Sequence, residues 1–462
     1  MKNIPNNIFI SWRKSWLLGM LVLFMFSCKE DENVEPAQNF SKINTFIWEN
    51  MNEAYLWNDL IPQNTDYRNA ADPKQLFENM LFKPTDRWSF ITEDYAALIN
   101  SFKGIEKTFG HHFKLFLLPG SNDVVGIVQY VVPTSPADKT GIKRGDKFYR
   151  VNGTKLNTSN YQDLLFDLDN YTLTFGEFDN EGKIAPVSEK ALSAVVLAEN
   201  PLLMRKTFQL EGHTIGYLSY NQFIQEYEDS LVTAFGRFRQ EGITDLVLDL
   251  RYNPGGSINT AILLSSMIAP ANVVNARQIF AKMLWNDKIT SEIVQEEGEE
   301  SENLLSRFVV PPVNLNLNTL YILVSRNTAS ASELMINCLR PYMDVVLVGE
   351  ENTTGKFVGS VTIHDEEQAL NWAMQPIVLK TANAAGVSDF VAGFAPDFFI
   401  QDDLNAELGT LQEDMFARAV ELITGLSLNE PARSAREVML DKMKALPKTD
   451  MPWKENMYLT LK

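Results

Sequence analysis

A run of β-branched and aliphatic residues that turns directly into a helix, and is followed by another such run, leaves a chain few ways to fold. "LYILVS" (Leu320–Ser325) feeds straight into "TASASELMINCLRP" (Thr328–Pro341), and "DVVLVGE" (Asp344–Glu350) follows. Upstream, "TIGYLSYNQF", a helical stretch near Asp229–Glu241 and "TDLVLDL" (Thr244–Leu250) repeat the alternation. Continuous apolar strands joined by helices bury both sheet faces, which predicts an α/β core over residues 198–426. The acidic stretch "SEIVQEEGEESENLLSR" inside this span has no clean periodicity and reads as an exposed loop.

The flanking segments differ in character. Residues 41–103 carry apolar and aromatic residues at three- and four-residue steps ("INTFIWENMNEAYLW"), which predicts a helical N-terminal region. Residues 104–197 change to short strands and turns. There "VVGIVQYVV" (Val124–Val132) precedes "PTSPADKTGIKRGDKFYRVNG" (Pro133–Gly153), a short helix, turn, strand and turn. The segment resembles a PDZ domain. That resemblance implies capture of polypeptide ends by strand addition, with Gly110, His111, His112 and Phe113 of "FGHHF" in the carboxylate-binding loop. The two histidines depart from the small and apolar residues usual there. Residues 427–462 read as a peripheral helical segment.

The net charge of -18 argues against nucleic-acid partners, which need clustered lysine and arginine. At the N-terminus Lys2, Arg13 and Lys14 precede an apolar run, "WLLGMLVLFMF", too short to span a bilayer and shaped like an export signal over residues 1–27. "MFSC" resembles a bacterial lipobox, implying lipidation of Cys28 followed by an acidic tether over residues 28–40. The expected location is the cell envelope, anchored to the outer membrane and facing the periplasm or the surface. With Cys28 modified, Cys338 is left without a disulfide partner and reads as a small buried hydrophobe.

Two stretches carry chemistry. In "LVLDLRYNPGG" a buried strand ends in a turn whose Gly255 and Gly256 free the backbone to aim N–H groups at an oxyanion; a plain tight turn fits equally well. In the opening helix, Ser330 and Glu333 satisfy the capping-box pattern, so Ser330 can simply cap the helix. The same position suits a nucleophile, because the Ala331 amide at the helix start can receive a developing negative charge. A serine needs a base. Of four histidines, only His364 lies near by chain order. Lys356, in the Gly-flanked turn of "ENTTGKFVGS", is the alternative, provided burial or nearby positive charge lowers the amine from about 10.4.

Taken in order, "DRWSFI", "LSYNQF", "LDLRYNPGG", "TASASE", "GEENTTGK" and "GFAPD" resemble the S41 serine peptidases, the tail-specific or C-terminal processing proteases. The resemblance implies a ClpP/crotonase-like α/β catalytic core, with Ser330 as nucleophile and Lys356 as general base. It also implies oxyanion donors at Ala331, Gly255 and Gly256, a polypeptide substrate, and no metal or cofactor. Two departures stand out. The Gly349–Lys356 interval is one residue longer than usual, and Ser360 replaces a glutamine that often orients the lysine. The competing readings are an inactive peptide-binding scaffold on the same fold and a Ser–His hydrolase using His364. Oligomeric state is not legible from the sequence.

Overall fold

A computed structural model describes residues 40–63, 66–179, 182–365, 371–428, 443–446 and 457–459. The expected export signal, Cys28 and most of the tether lie outside these residues.

The core is a six-stranded sheet. In spatial order it runs Leu202–Leu210, His213–Tyr220, Asp245–Asp249, Thr319–Val324, Asp344–Gly349 and Phe398–Phe399. The first strand is antiparallel to the second, and every later pair is parallel. Strand alternation decides which face each side chain serves. Leu246, Leu248 and Leu250, with Leu320, Ile322 and Val324, pack against the helices Glu228–Glu241, Ile258–Ile268 and Ala331–Leu339. Val247, Leu323 and Val348 point the other way, onto Met415, Phe416, Ala419 and Val420 of the helix Asp414–Thr424. Both faces are thus covered, as the continuous apolar runs require. In such a sheet the loops leaving the carboxyl ends of adjacent parallel strands converge on one rim. Here those loops carry the Asn253–Gly256 turn, Ser330 and Lys356.

The N-terminal helices share this core rather than forming their own. Ile47, Met51, Leu76, Phe77 and Trp88 belong to the same apolar cluster as the helix Ala331–Leu339. The Asn286 side chain fixes the docking by donating to the Glu53 and Tyr55 carbonyls at 3.0 and 3.1 Å. A separate middle β domain is built on the strands His111–Leu117, Val124–Val131, Lys147–Val151, Asn170–Phe178 and Ile184–Ser193. It has cores of its own on its two faces.

Two expectations need correcting. The acidic stretch is not a loop throughout: its first part continues the helix Asp287–Glu297, and Leu305–Arg307 is a strand. Ile289 and Ile293, four apart, anchor that helix by burial, a spacing too short to stand out among the acids. The last segment is not helical where it is described. Lys444–Ala445 pairs with the middle domain, and Met457–Tyr458 enters a second six-stranded sheet between Gly256–Ser257 and Val358–Ser360.

Candidate active site

Ser330 is fully buried at the N-cap of the helix Ala331–Leu339, with φ 65° and ψ -114°. A non-glycine residue held in so sparsely populated a conformation costs on the order of 1–3 kcal/mol and persists only where its surroundings over-determine it. Here they do. The Ala329 N–H and the Ser332 hydroxyl both donate to the Asn253 carbonyl, at 3.1 and 3.2 Å. The Leu334 N–H donates to the Ser330 carbonyl at 2.8 Å. One carboxylate oxygen of Glu333 accepts the Ser330 N–H at 2.9 Å. The Ser330 hydroxyl itself is buried and has no hydrogen-bond partner. Thr328 and Ser332 are used structurally: Thr328 donates to the Leu250 carbonyl at 2.8 Å, and Ser332 to Asn253.

Glu333 does more than cap. Its Oε1 accepts from the Thr353 hydroxyl and the Gly355 N–H, both at 2.6 Å, and its Oε2 accepts the Lys356 N–H at 2.8 Å. A fully buried carboxyl therefore binds the helix start and the lysine loop in one network. Burial raises its pKa, and the bonds from Thr353, Gly355, Ser330 and Lys356 oppose that rise. The loop is also tied directly to the loop that carries Ser330. Thr354 donates its N–H to the Thr328 carbonyl at 3.0 Å and its hydroxyl to the Arg326 carbonyl at 2.6 Å. Gly355 is required where it stands. It has φ 89°, and a Cβ there would sit 2.2 Å from the Val391 carbonyl oxygen.

Lys356 is completely buried, with Nζ 5.8 Å from the Trp88 ring centroid. Trp88 comes from "DRWS", where the Asp86 carboxylate accepts the Trp88 and Ser89 amides at 3.0 and 2.9 Å and the Ser89 hydroxyl at 2.5 Å. The Ser89 oxygen in turn accepts the Ile377 N–H at 2.8 Å, and Arg87 donates to the Thr354 carbonyl at 3.1 Å. The N-terminal region thereby roofs the lysine. Ser360 is buried on the adjoining strand, and its hydroxyl donates to the Met457 carbonyl at 3.2 Å.

The glycine turn departs from expectation at one residue. The Gly255 N–H donates to the Asn253 side-chain oxygen at 2.9 Å, so it is already committed and does not face an oxyanion. Gly255 is needed for space instead: with φ 111°, an added Cβ would lie 2.6 Å from the Ser330 Cβ. Gly256, at φ 133°, presses on the Phe223 carbonyl, 2.2 Å from where a Cβ would stand. The Ala331 N–H, at the first helical position, has no intrahelical acceptor.

The histidines lie elsewhere. His213 pairs with Asp245 at 2.7 Å where both strands begin, the rim opposite Ser330. His364 stacks on Tyr95 with ring centroids 4.0 Å apart, on a three-stranded sheet with Phe90–Thr92 and Ala373–Gln375. His111 and His112 open a middle-domain strand. The His111 Nε2 is 3.3 Å from the Tyr171 hydroxyl, and burial pushes its pKa down to about 3, helped by His112. The His112 ring stacks on Tyr130 at 4.2 Å, with Nε2 3.3 Å from a Glu199 oxygen. The Gly110 N–H donates to the Thr108 hydroxyl at 3.0 Å, and Phe113 meets Phe148 edge-on at 5.1 Å. His111, His112 and Phe113, but not Gly110, line a cavity of about 740 Å³ that reaches Arg326 and Asn327 beside the loop carrying Ser330.

One buried ion network joins the middle domain to the glycine turn. Arg144 donates to Asp402 at 2.7 Å and to the Tyr252 hydroxyl at 2.6 Å. Arg251 donates to Asp402 at 2.7 Å, to both Glu413 oxygens at 2.8 Å and to Asp249 at 3.0 Å. Sequence reading missed this set, along with Asn253, Trp88 and the Glu333–Lys356 contact. Only the run of Asp249 and Arg251 before the turn hinted at it.

A buried serine at a helix start, a buried lysine and a glycine turn on one rim of a parallel sheet define a class, and the chain belongs to peptidase family S41. The Peptidase family S41 profile matches residues 214–397 and the Peptidase S41 N-terminal domain profile residues 42–90, together about half of the chain. Among individual relatives, the chain is 25% identical over 348 residues to the chloroplastic carboxyl-terminal-processing peptidase 1 of Arabidopsis thaliana, a span covering 71% of this chain and 66% of that protein. It is 22% identical over 403 residues to the carboxy-terminal processing protease CtpB of Bacillus subtilis, covering 82% and 76%. The chain spans 63% of the length of the Synechocystis carboxyl-terminal-processing protease. A crystal structure from Bacteroides fragilis assigned to the S41 proteases superposes with a TM-score of 0.69 at 27% identity, covering 83% of this chain and 97% of that one.

Proposed function

We propose that the chain is a serine endopeptidase that hydrolyses polypeptides with Ser330 as nucleophile and Lys356 as general base. The observation that carries this reading is the shared Glu333 carboxylate, which ties the backbone of both residues to one point. As the Ser330 oxygen attacks the scissile carbonyl, its proton passes to the Lys356 amine, a role that requires the amine to be unprotonated. The Ala331 amide, assisted by Gly256, receives the oxyanion. The lysine then gives its proton to the leaving amine; in the second half Lys356 takes a proton from the water that attacks the acyl-enzyme and returns it to the Ser330 oxygen as the acid product leaves. The Ser330 hydroxyl has no hydrogen-bond partner, and in this reading its contact with the lysine amine forms when substrate binds, as catalytic contacts often do.

In this reading the middle domain is PDZ-like and recruits polypeptide ends beside the cavity, and Cys28 carries a lipid that holds the enzyme to the outer membrane. Ser360 steadies the strand beside Lys356 through Met457. The test is labelling by a fluorophosphonate probe. Ser330 is expected to label in the wild type and not in Ser330→Ala. Absence of labelling, with peptide binding retained, makes the chain a binding scaffold.

A further inference from the structure

The strand His111–Leu117 has two edges. One pairs along its length with Val124–Val131. The other carries the chain's own residues: Lys444 lies opposite Leu117 and Ala445 opposite Phe116, antiparallel, and the Leu446 N–H donates to the Leu115 carbonyl at 2.9 Å. We propose that this edge is a strand-addition site for extended polypeptide whose resident ligand is Lys444–Leu446, and that a substrate segment must displace that ligand to enter. The proposal rests on the reading of the middle domain as the substrate-recruiting element.

Three features support it. The segment is anchored on both faces of the sheet, as an added strand must be. Met443 is buried against Phe116, Tyr149 and Leu404, while Leu446 packs on the opposite core around Leu115 and Leu165. Its direction leads from Leu117 towards the Phe109–His111 turn, and its described residues pair only with Leu115–Leu117. Beyond it the cavity of about 740 Å³ continues, with Ala445 and Leu446 at one end and Phe109 and His111 at the other. Lys444–Leu446 thus lies along one end of a longer track. It is also an internal segment, since the chain continues to Met457–Tyr458, so occupancy needs no free carboxyl end. Main-chain pairing supplies tolerance of sequence, and the Leu446 contact sets a preference for an apolar side chain at that position.

A tethered ligand competes at an effective concentration on the order of millimolar, so a weak contact suffices to block weak outside ligands. The test uses the full chain and a fluorescein-labelled synthetic peptide of residues 441–448, DKMKALPK. Leu446→Pro removes the N–H that donates to Leu115, and a second variant replaces residues 444–446 by Gly-Ser-Gly. Fluorescence anisotropy should show the peptide binding both variants about tenfold or more tightly than the wild type. Equal dissociation constants, or binding to none of the three, overturns the proposal. Fluorophosphonate labelling of Ser330 in the same samples reports separately on the peptidase reading, and its failure leaves the binding comparison intact.

Discussion

The backbone amides of Ser330 and Lys356 donate to the same oxygen, Oε2 of Glu333, at 2.9 and 2.8 Å. A glutamate that the sequence marks as a helix cap is thus also the strut that sets the spacing between hydroxyl and amine. Glu333→Gln keeps the volume but turns one acceptor oxygen into a donor that faces backbone N–H groups. Hydrogen bonds to a charged group contribute roughly 1.5–3 kcal/mol each, so the variant should lose about 2 kcal/mol or more. Fluorophosphonate labelling of Ser330 should slow at least about tenfold (1.4 kcal/mol per decade). Urea melts and labelling rates check both; an unchanged labelling rate removes Glu333 from the positioning role.

Gly255 is placed against Ser330 with no room for a methyl group. Gly255→Ala brings a Cβ 2.6 Å from the Ser330 Cβ, in a conformation with φ 111°. The neighbour is the proposed nucleophile, so relief of the clash would move the reacting atom. The expected result is a loss of roughly a hundredfold or more in peptide hydrolysis, the scale on which angstrom misplacements act. Thermal melting should fall by the equivalent of about 1–3 kcal/mol. A near-wild-type rate contradicts the packing described.

Asp402 serves Arg144, Arg251 and the Tyr252 hydroxyl at once. Burial alone would raise its pKa, yet the two guanidiniums hold it below the usual carboxylate range. Asp402→Asn leaves two buried cations short of a counter-charge, which costs about 3–5 kcal/mol. Because Arg144 belongs to the middle domain and Tyr252 adjoins the glycine turn, the loss should appear as earlier denaturation and weaker substrate hydrolysis together. Denaturant titration and kcat/KM measured on one preparation test this.

His111 is buried neutral, its pKa lowered from 6.5 to about 3 by burial and by His112. The sign follows from linkage. Between these values the unfolded chain binds a proton that the folded chain does not, so stability is full above about 6.5 and falls as the pH drops. The limit is about 1.4 kcal/mol per pH unit, or on the order of 2 kcal/mol between pH 6.5 and 5. His111→Phe should flatten this part of the pH–stability curve in denaturant melts. An unchanged slope means that another group sets it.

Much of this was legible in the sequence, for reasons the structure makes plain. The parallel sheet follows from apolar runs buried on both faces, and Ser330 from a local capping signal four residues long. The glycine-flanked turn placed Lys356 near the same rim, but its choice over His364 rested on the resemblance to the S41 peptidases. What stayed hidden depends on partners distant in sequence. That the Gly255 amide is consumed by Asn253 requires the conformation of the turn, which glycine content alone does not specify. The pairing of Met457–Tyr458 with Gly256–Ser257 and Ser360 joins two-residue strands, too short to show a period of two. The buried set joins Arg144, Arg251 and the pair Asp402 and Glu413 from three separated stretches of chain, and apart from Arg251 these look like ordinary surface charges by themselves.

The account turns on which group takes the proton from Ser330. Lys356 is buried and tied to Ser330 through Glu333, whereas His364 is stacked on Tyr95 on a separate sheet. The direct measurement is kcat/KM for casein hydrolysis by Lys356→Ala and His364→Ala beside the wild type, with folding of each verified by melting. The expected result is a loss of a thousandfold or more in the lysine variant, about 4 kcal/mol of transition-state stabilisation, and activity within a few-fold of wild type in the histidine variant. Full activity in Lys356→Ala with loss in His364→Ala would contradict it.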